Sequence, residues 1–371
     1  MILNTQNLRL TTYDSQLTTH NPQLTTHNSQ PTTHNLQLNM KKTIALVTGG
    51  FTGESVISLK SANVIEKNLD RDRYCVYKII ITKETWFYCD EQNTEHDINK
   101  NDFSLTIDAD HIKFDCIFIG LHGSPGEDGK LQGYFDMLNI PYTTCDATTS
   151  AITMNKAYTK AVVNGIENLH VAKSIQLFKN DQAGIESVQA QLQLPYFVKP
   201  NNGGSSIGMS KVKTTIELAE ALTKAFNEDS QVLVEEFIQG REFSIGVYDS
   251  VNGITVLPAT EVISSKEFFD FEAKYTPGIT EEITPGRMTD EEHDRVKRII
   301  VATYKQLNCK GIVRIDYFLQ HETSNFYFIE INTVPGQTEQ SFIPQQVRAA
   351  GMDIKDFYSE LIEVALKGQS N

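Results

Sequence analysis

Between Gly311 and Phe342 the chain carries two runs rich in β-branched and aromatic residues, Val313–Leu319 and Phe326–Asn332. They flank the polar segment His321-Glu322-Thr323-Ser324-Asn325, a pattern that predicts a β-hairpin. With the turn centred near Thr323, Asp316 falls opposite Glu330 and Arg314 opposite Asn332. Side chains alternate along a strand, so these four share one face, while Ile315, Tyr317, Leu319, Ile329 and Ile331 share the other, which can be buried. Two carboxylates opposed across a ladder repel by ~1 kcal/mol in water and ~4 kcal/mol at an effective dielectric of about 20. A hard divalent cation would remove that penalty, and two carboxylates plus an amide oxygen are ligands Mg²⁺ takes beside phosphate oxygens. A solvated hairpin with its charges in water is the competing reading.

The chain of 371 residues exceeds most single cores, so two or three domains are expected. The net charge of −14 argues against nonspecific nucleic-acid binding and against an anionic membrane surface, both of which need basic patches. An anionic ligand would have to be met by local cations and backbone N–H groups. The five cysteines, Cys75, Cys89, Cys116, Cys145 and Cys309, form no CxxC pair. They fit free thiols in a reducing compartment better than a disulfide frame or a zinc site.

Residues 1–39 differ in kind. A seven-residue repeat runs SQLTTHN (15–21), PQLTTHN (22–28), SQPTTHN (29–35) and LQLN (36–39). It has no apolar seam, so it is no coiled coil, and its polarity predicts disorder. His20, His27 and His34 recur within it and could in principle bind metal, but spaced histidines in such a tract are weak evidence of a metal site. Met40-Lys41-Lys42 makes a plausible native start, with the repeat as upstream sequence read as protein. The apolar run Ile44–Val47 is too short for a signal peptide and meets Gly49-Gly50 at once. No run approaches the ~18 apolar residues of a membrane span. A soluble, cytoplasmic protein is expected.

From Lys42 the pattern is α/β. A strand over Thr43–Thr48 leads through GGFTGES into a helical segment from Ser55 to Leu69, followed by a strand over Tyr74–Thr82. Asp115–Gly120 reads as a short buried parallel strand. Gly49-Gly50 lacks the GxGxxG spacing of a dinucleotide fingerprint. Glu54 stands at a helix start, where the dipole alone would favour an acid.

The loop Leu121-His122-Gly123-Ser124-Pro125-Gly126-Glu127-Asp128-Gly129 follows the buried strand, where α/β proteins bind ligands. His122, crowded by glycines, is a candidate site residue. A helix over Gln132–Leu138 follows, and another is expected to begin at Thr153-Met154-Asn155-Lys156. Tyr196–Pro200 reads as a strand carrying Lys199, and Asn201–Gly208 is a small-residue loop containing Ser205 and Ser206. Its backbone N–H groups and hydroxyls could cradle phosphate, although Gly-Lys-[Ser/Thr] is absent, so a lid over nucleotide is the better reading. Lys156 and Lys199 would supply charge to the phosphates. Glu235-Glu236-Phe237-Ile238 ends a strand over Val232–Val234, and Gly240-Arg241-Glu242-Phe243 starts another. An edge strand there could offer backbone groups to adenine and an acid to the ribose.

Seven segments then fall into one order: LHGSPGEDGKLQG (121–133), IPYTTCDATTSAITMNKAYTK (140–160), YFVKPNNGGSSIGMSKV (196–212), VEEFIQGREFSIGV (234–247), FFDFEAKY (268–275), CKGIVRIDYF (309–318) and EINTVPGQTEQSF (330–342). In motif, order and spacing the chain resembles the D-alanine–D-alanine ligases of the ATP-grasp superfamily, from Lys42 nearly to its end. The resemblance implies an N-terminal parallel α/β domain (40–144) followed by a two-lobed ATP-grasp fold, with a central lobe (145–238) and a C-terminal lobe (239–371). Beyond the fold, it implies ATP-dependent joining of two D-alanines for cell-wall precursor synthesis, with two Mg²⁺ ions, replaceable by Mn²⁺, and a homodimer.

Carried over position by position, Lys156, Lys199, Ser206, Glu235, Glu236, Phe237, Ile238 and Glu242 correspond to nucleotide-binding positions. Asp316, Glu330 and Asn332 correspond to the metal ligands. Glu54 matches the acid that receives the first D-alanine's ammonium, and His122 a residue near its carboxylate. Arg314 and the Gly336 backbone match an oxyanion site, and Ser341 with Phe342 the region holding the second D-alanine's carboxylate. Ser205 matches the loop serine, and Lys274 with Tyr275 the closing ω-loop. The chain departs from the pattern at Glu236, where lysine is common, at Gln337, usually methionine, and at Phe342, usually leucine. Rival expectations are a ligase of other amino acids or of D-lactate, a nucleotide-binding regulator without catalysis, and a dinucleotide-dependent oxidoreductase.

Overall fold

The computed structural model describes residues 41–204, 206–264 and 280–368. The repeat tail, Ser205, Lys274 and Tyr275 lie outside the described residues.

The first sheet is built on β1 (Lys42–Gly49), which pairs in parallel with β2 (Tyr74–Ile81) on one side and β7 (Cys116–Ile119) on the other. The run Ile44–Val47 is apolar throughout because both sheet faces are covered. Ile44 and Leu46 pack with Ala62 and Ile65 of α1 (Ser55–Asn68), while Ala45 and Val47 pack with Phe135 of α2 (Lys130–Leu138). Gly49 ends β1 at φ 96°, and a Cβ there would sit 2.4 Å from the Ile81 carbonyl oxygen, so only glycine fits. Beyond β2 the sheet continues as an antiparallel meander, β3 (Trp86–Cys89), β4 (Glu95–Asn99), β5 (Ser104–Ile107) and β6 (Asp110–Ile112). β4, β5 and β6 are short and interleave polar with apolar residues, and the meander was not read from the sequence. The parallel part of the sheet is therefore three strands wide.

α3 (Ala147–Met154) and α4 (Lys156–Val163) are separate helices, so the expected single helix from Thr153 is corrected. Asn155 stands between them in extended geometry, its side chain accepting from the Tyr158 N–H at 3.0 Å as an N-cap. The second sheet is antiparallel, ordered β11 (Ser210–Val212), β10 (Tyr196–Pro200), β12 (Gln231–Glu236) and β9 (Ser174–Phe178). It is backed by α5 (Gln182–Gln191) and α6 (Leu218–Glu228) over a core that includes Val188, Leu222, Val198 and Val234. β12 lies between β10 and β9, so it is not the edge strand expected for adenine contact. The N–H groups of Glu236 and Phe237 are also taken, by the carbonyls of Lys173 and Pro195.

The third sheet runs β16 (Thr280–Ile283), β15 (Thr260–Ser264), β13 (Gly240–Ser250), β17 (Val313–Gln320), β18 (Phe326–Asn332) and β8 (Leu169–Val171), with β14 (Gly253–Val256) paired to β13. The hairpin is β17–β18, and Arg314↔Asn332 and Asp316↔Glu330 are direct partners. Below Asp316 the register slips by one, so Tyr317 pairs with Phe328. Ile329 is the extra residue of a β-bulge. Consequently Ile329 does not join the buried face as expected; Phe326 and Phe328 take its place beside Ile315, Tyr317, Leu319 and Ile331. Each such side chain contributes about 1.5–3 kcal/mol on burial.

Three further helices lie among the described residues. α7 (Asp290–Gln306) opens with a reciprocal capping box between Thr289 and Glu292 and buries Val296, Ile299 and Ile300 against the hairpin core. α8 (Phe342–Ala349) follows the hairpin, and α9 (Ile354–Gly368) returns to the first sheet, where Phe357, Tyr358, Leu361 and Ile362 pack with Leu46 and Phe118. Among the described residues no helix is long and apolar enough to cross a membrane.

Candidate active site

The bulged hairpin presents its polar face as a charged cluster. Arg314 donates to Asp316 through Nε (3.0 and 3.3 Å) and Nη2 (2.8 Å), a bidentate fit that two residues on one strand face allow. Asp316 Oδ1 also receives the Ser244 hydroxyl at 2.5 Å, and Oδ2 the Asn332 amide at 3.3 Å. Glu330 is 3.8 Å from the ammonium of Lys156. The repulsion between the facing carboxylates is thus offset by one cation on each. Burial works against the charge of Arg314, but Asp316, Glu330 and Glu127 hold its guanidinium protonated. Its carbon centre also lies 5.5 Å from the centroid of the Phe342 ring.

Asp316 and Glu330 supply hard oxygen donors, and with Asn332 donating through Nδ2, its Oδ1 is a third. Among the described residues no group of three or more His, Cys, Asp or Glu gathers into a self-sufficient metal cage. The donor set suits an ion that completes its shell with phosphate oxygens and water, which is the habit of Mg²⁺.

Lys156 begins α4 and donates to the carbonyl of Gly203 at 2.6 Å, while its own N–H bonds the carbonyl of Asn201 at 3.0 Å. This ties the small-residue loop to Glu330. Within that loop Ser206 adopts φ 57° and Gly208 φ 75°, a tight turn. Glu54, at the start of α1, reaches the same loop: a Cβ on Gly204 would lie 2.9 Å from its Oε1, and one on Gly123 would lie 2.6 Å from its Oε2. Glycine at both positions leaves space for this carboxylate between two loops.

His122 is buried and engaged on both ring nitrogens. Nδ1 donates to the Val334 carbonyl at 2.7 Å, and Nε2 meets the Ser61 hydroxyl at 2.9 Å. Burial lowers its pKa, so the imidazole is neutral, which matches one donating and one accepting nitrogen. Glu127, which sequence reasoning passed over, accepts from the N–H of Gly123 (2.7 Å) and of Val334 (3.3 Å). Burial, and then the charge of Glu54, raise its pKa to about 8. His122 and Glu127 therefore grip both sides of residue 334, two residues before Gly336.

Beyond that grip, Gln337 donates its N–H to Ser61 Oγ at 3.2 Å, and its buried side chain accepts from the Tyr358 hydroxyl at 3.1 Å. The amide that replaces methionine thus has its partners inside the fold. Ser341 is bonded to Thr338, through the hydroxyls at 2.7 Å, and precedes Phe342 at the first turn of α8. A Cβ on Gly336 would sit 2.8 Å from Ser341 Oγ. The N-terminus of α8 offers backbone N–H groups suited to a carboxylate.

On the second sheet, Lys199 is paired with Leu233 and Glu235 with Phe197, so the two are diagonal neighbours on one face of β10 and β12, and they form an ion pair. A second lysine, Lys160, bonds the other oxygen of Glu235. Burial would raise the Glu235 pKa, but Lys160 and Lys199 bring it down to about 2. Lys160 lies one helical turn beyond Lys156, and that i, i+4 spacing is the signal that could have found it. Phe237 packs edge-on against Phe197 (5.8 Å) with Lys211 over its ring at 3.7 Å. Ile238 is half-buried, and Glu242 sits on β13, paired with Phe318 and Val262. An unbroken series of contacts joins Glu54, the small-residue loop, Lys156, Glu330, Asp316, Arg314 and Phe342. Ser205, Lys274 and Tyr275 cannot be placed in it, since they lie outside the described residues.

Residues 43–145 match the family model described as D-ala D-ala ligase N-terminus, and residues 165–363 that described as D-ala D-ala ligase C-terminus. The chain is 44% identical over 323 residues to a D-alanine–D-alanine ligase of Azobacteroides pseudotrichonymphae, covering 87% of this chain and 99% of that protein. It is 44% identical over 330 residues to the ligase of the same name from Parabacteroides distasonis, covering 89% and 99%. Among solved structures it resembles the VanG D-Ala:D-Ser ligase of Enterococcus faecalis (TM-score 0.79, 31% identity, 88% and 99% covered). It also resembles the Bacillus anthracis D-alanine–D-alanine ligase complexed with ATP (TM-score 0.70, 27% identity, 89% and 99% covered).

Proposed function

Since the chain belongs to the D-alanine–D-alanine ligase family, we propose that it joins two D-alanines to D-alanyl-D-alanine at the expense of ATP, through an acyl phosphate, in supply of cell-wall precursors. The observation that carries this reading is the contact of Lys156 with both the small-residue loop and Glu330, which brings a phosphate-type cradle beside a pair of hard carboxylates.

A carboxylate is a poor electrophile, so the carboxylate oxygen of the first D-alanine attacks the γ-phosphorus of ATP and ADP leaves. Lys156, Lys199 and the loop containing Ser206 bind the phosphates, Glu242 the ribose, and the segment Glu235 to Ile238 the adenine, through groups other than the N–H groups of Glu236 and Phe237, which are already bonded. Asp316, Glu330 and Asn332 would hold Mg²⁺, as two ions or with Mn²⁺ in its place; when bound, the metal supplies positive charge for the phosphoryl oxygens. Glu54 receives the ammonium of the first D-alanine, and His122 orients the loop beside its carboxylate.

The neutral amine of the second D-alanine then attacks the acyl carbon. Arg314 and the Gly336 N–H donate to the oxyanion that forms, and inorganic phosphate leaves as the carbonyl returns. Ser341, Phe342 and the start of α8 receive the second carboxylate. Water must be kept out while the acyl phosphate persists. By the resemblance, Ser205, Lys274 and Tyr275 close the site. A homodimer and a cytoplasmic location belong to the same reading; all five cysteines are free thiols, which suits a reducing compartment. Mass spectrometry of the product formed from ATP and D-alanine tests it: the dipeptide is expected, and its absence would reject the proposal.

A further inference from the structure

Two ammonium groups share one carboxylate on the face of the second sheet opposite the core under α5 and α6. The side chains of Lys160, Lys199 and Glu235 are 6%, 8% and 11% exposed, so the three charges are nearly dry. Glu235 receives Lys199 on one oxygen and Lys160 on the other. Lys160 is fixed further by a 3.1 Å bond to the carbonyl of Ala172. The group of three carries a net charge of +1, whereas a buried ion pair of one lysine and one carboxylate would be neutral.

That difference decides what Lys199 can do. In a one-to-one pair, turning the Lys199 ammonium toward an anion would leave Glu235 buried without a counter-charge, which is strongly unfavourable. With Lys160 in place, Glu235 keeps a partner whichever way Lys199 points. We propose that Lys160 is a positioning residue for nucleotide: it neutralises Glu235 and so leaves the charge of Lys199 available to phosphate. The inference rests on the ligase reading in taking the anion to be ATP. The lowered pKa of Lys160, caused by burial and opposed by Glu235, agrees with a site where a further positive charge is costly until an anion arrives.

Calorimetric titration of the full chain with ATP and with adenosine, in magnesium chloride, gives a ratio of affinities that does not depend on the folded fraction. Lys160→Met is expected to lower the preference for ATP over adenosine about tenfold, and Lys160→Arg to keep it within about twofold of the unaltered chain. In a Glu235→Gln background, adding Lys160→Met should leave the ratio within about twofold, because no carboxylate remains to claim Lys199. Should Lys160→Met alone fail to fold, that double variant, free of the buried carboxylate, still decides the matter. An unchanged ratio in Lys160→Met, equal losses for both ligands, failure of arginine to rescue, or a further fall in the double variant would each overturn the inference. If the unaltered chain shows no preference for ATP, the ligase reading falls and takes this inference with it. A preference that survives Lys160→Met sinks the inference alone.

Discussion

Asp316 and Glu330 face each other directly across β17 and β18, the one bound by Arg314 and the other 3.8 Å from Lys156. Like charges are opposed only where something gains from their being together. Glu330→Gln keeps the shape and removes one charge, so turnover should fall about a hundredfold and the magnesium needed for half-maximal rate should rise. The melting temperature should stay within about 2 °C, as for other partly exposed substitutions. An unshifted magnesium titration would refute the metal assignment.

Arg314 holds Asp316 through two N–H donors and lies against the Phe342 ring. Lysine has the charge without the fork, so Arg314→Lys should cost about a hundredfold in kcat while KM for ATP changes only about threefold. Steady-state kinetics with ATP varied would show this. A loss confined to KM would move Arg314 out of the oxyanion role.

Glu127 gives a pH dependence whose sign is fixed. Burial and Glu54 raise its pKa from 4.5 to about 8 in the fold. Between those values the folded state binds the proton more tightly than the unfolded one, so this group's contribution to stability falls as pH rises. The melting temperature of the unaltered chain, measured relative to Glu127→Gln, should therefore decline from pH 5 to pH 8. A difference that grows over that range would show that the carboxylate is held charged.

Tyr358 donates to the side-chain oxygen of Gln337 in a buried setting. Tyr358→Phe leaves that oxygen without the hydroxyl and should destabilise the chain by about 1–3 kcal/mol. Adding Gln337→Met removes the stranded amide, so the double variant should recover part of the loss. Urea denaturation of the two variants checks this; additive losses would show that the pair is not coupled.

Much of the site could be read before any coordinates, because strand alternation is a strict rule. The facing of Asp316 with Glu330 and of Arg314 with Asn332 followed from the turn position alone. The bulge at Ile329 did not, since one extra residue leaves no mark in a hydrophobic pattern that reads Phe-Tyr-Phe-Ile without a break. The interior place of β12 was equally hidden, as strand order is set by pairings distant in sequence. Lys160 and Glu127 were missed for another reason. A charged residue looks solvent-exposed until the fold supplies its partner, here Glu235 for the first and the backbone around residue 334 for the second.

The central claim is that this site joins D-alanine to D-alanine and uses ATP to do so. The most direct measurement offers the purified chain ATP, magnesium and labelled D-alanine, with L-alanine, D-serine or D-lactate as competing second substrates, and identifies the products by mass. The account predicts ADP, phosphate and D-alanyl-D-alanine in equal amounts, with no phosphate released when L-alanine is the sole amino acid. Phosphate release that does not depend on D-alanine, or a mixed product that outweighs the D-alanine dipeptide at equal acceptor concentrations, would contradict it.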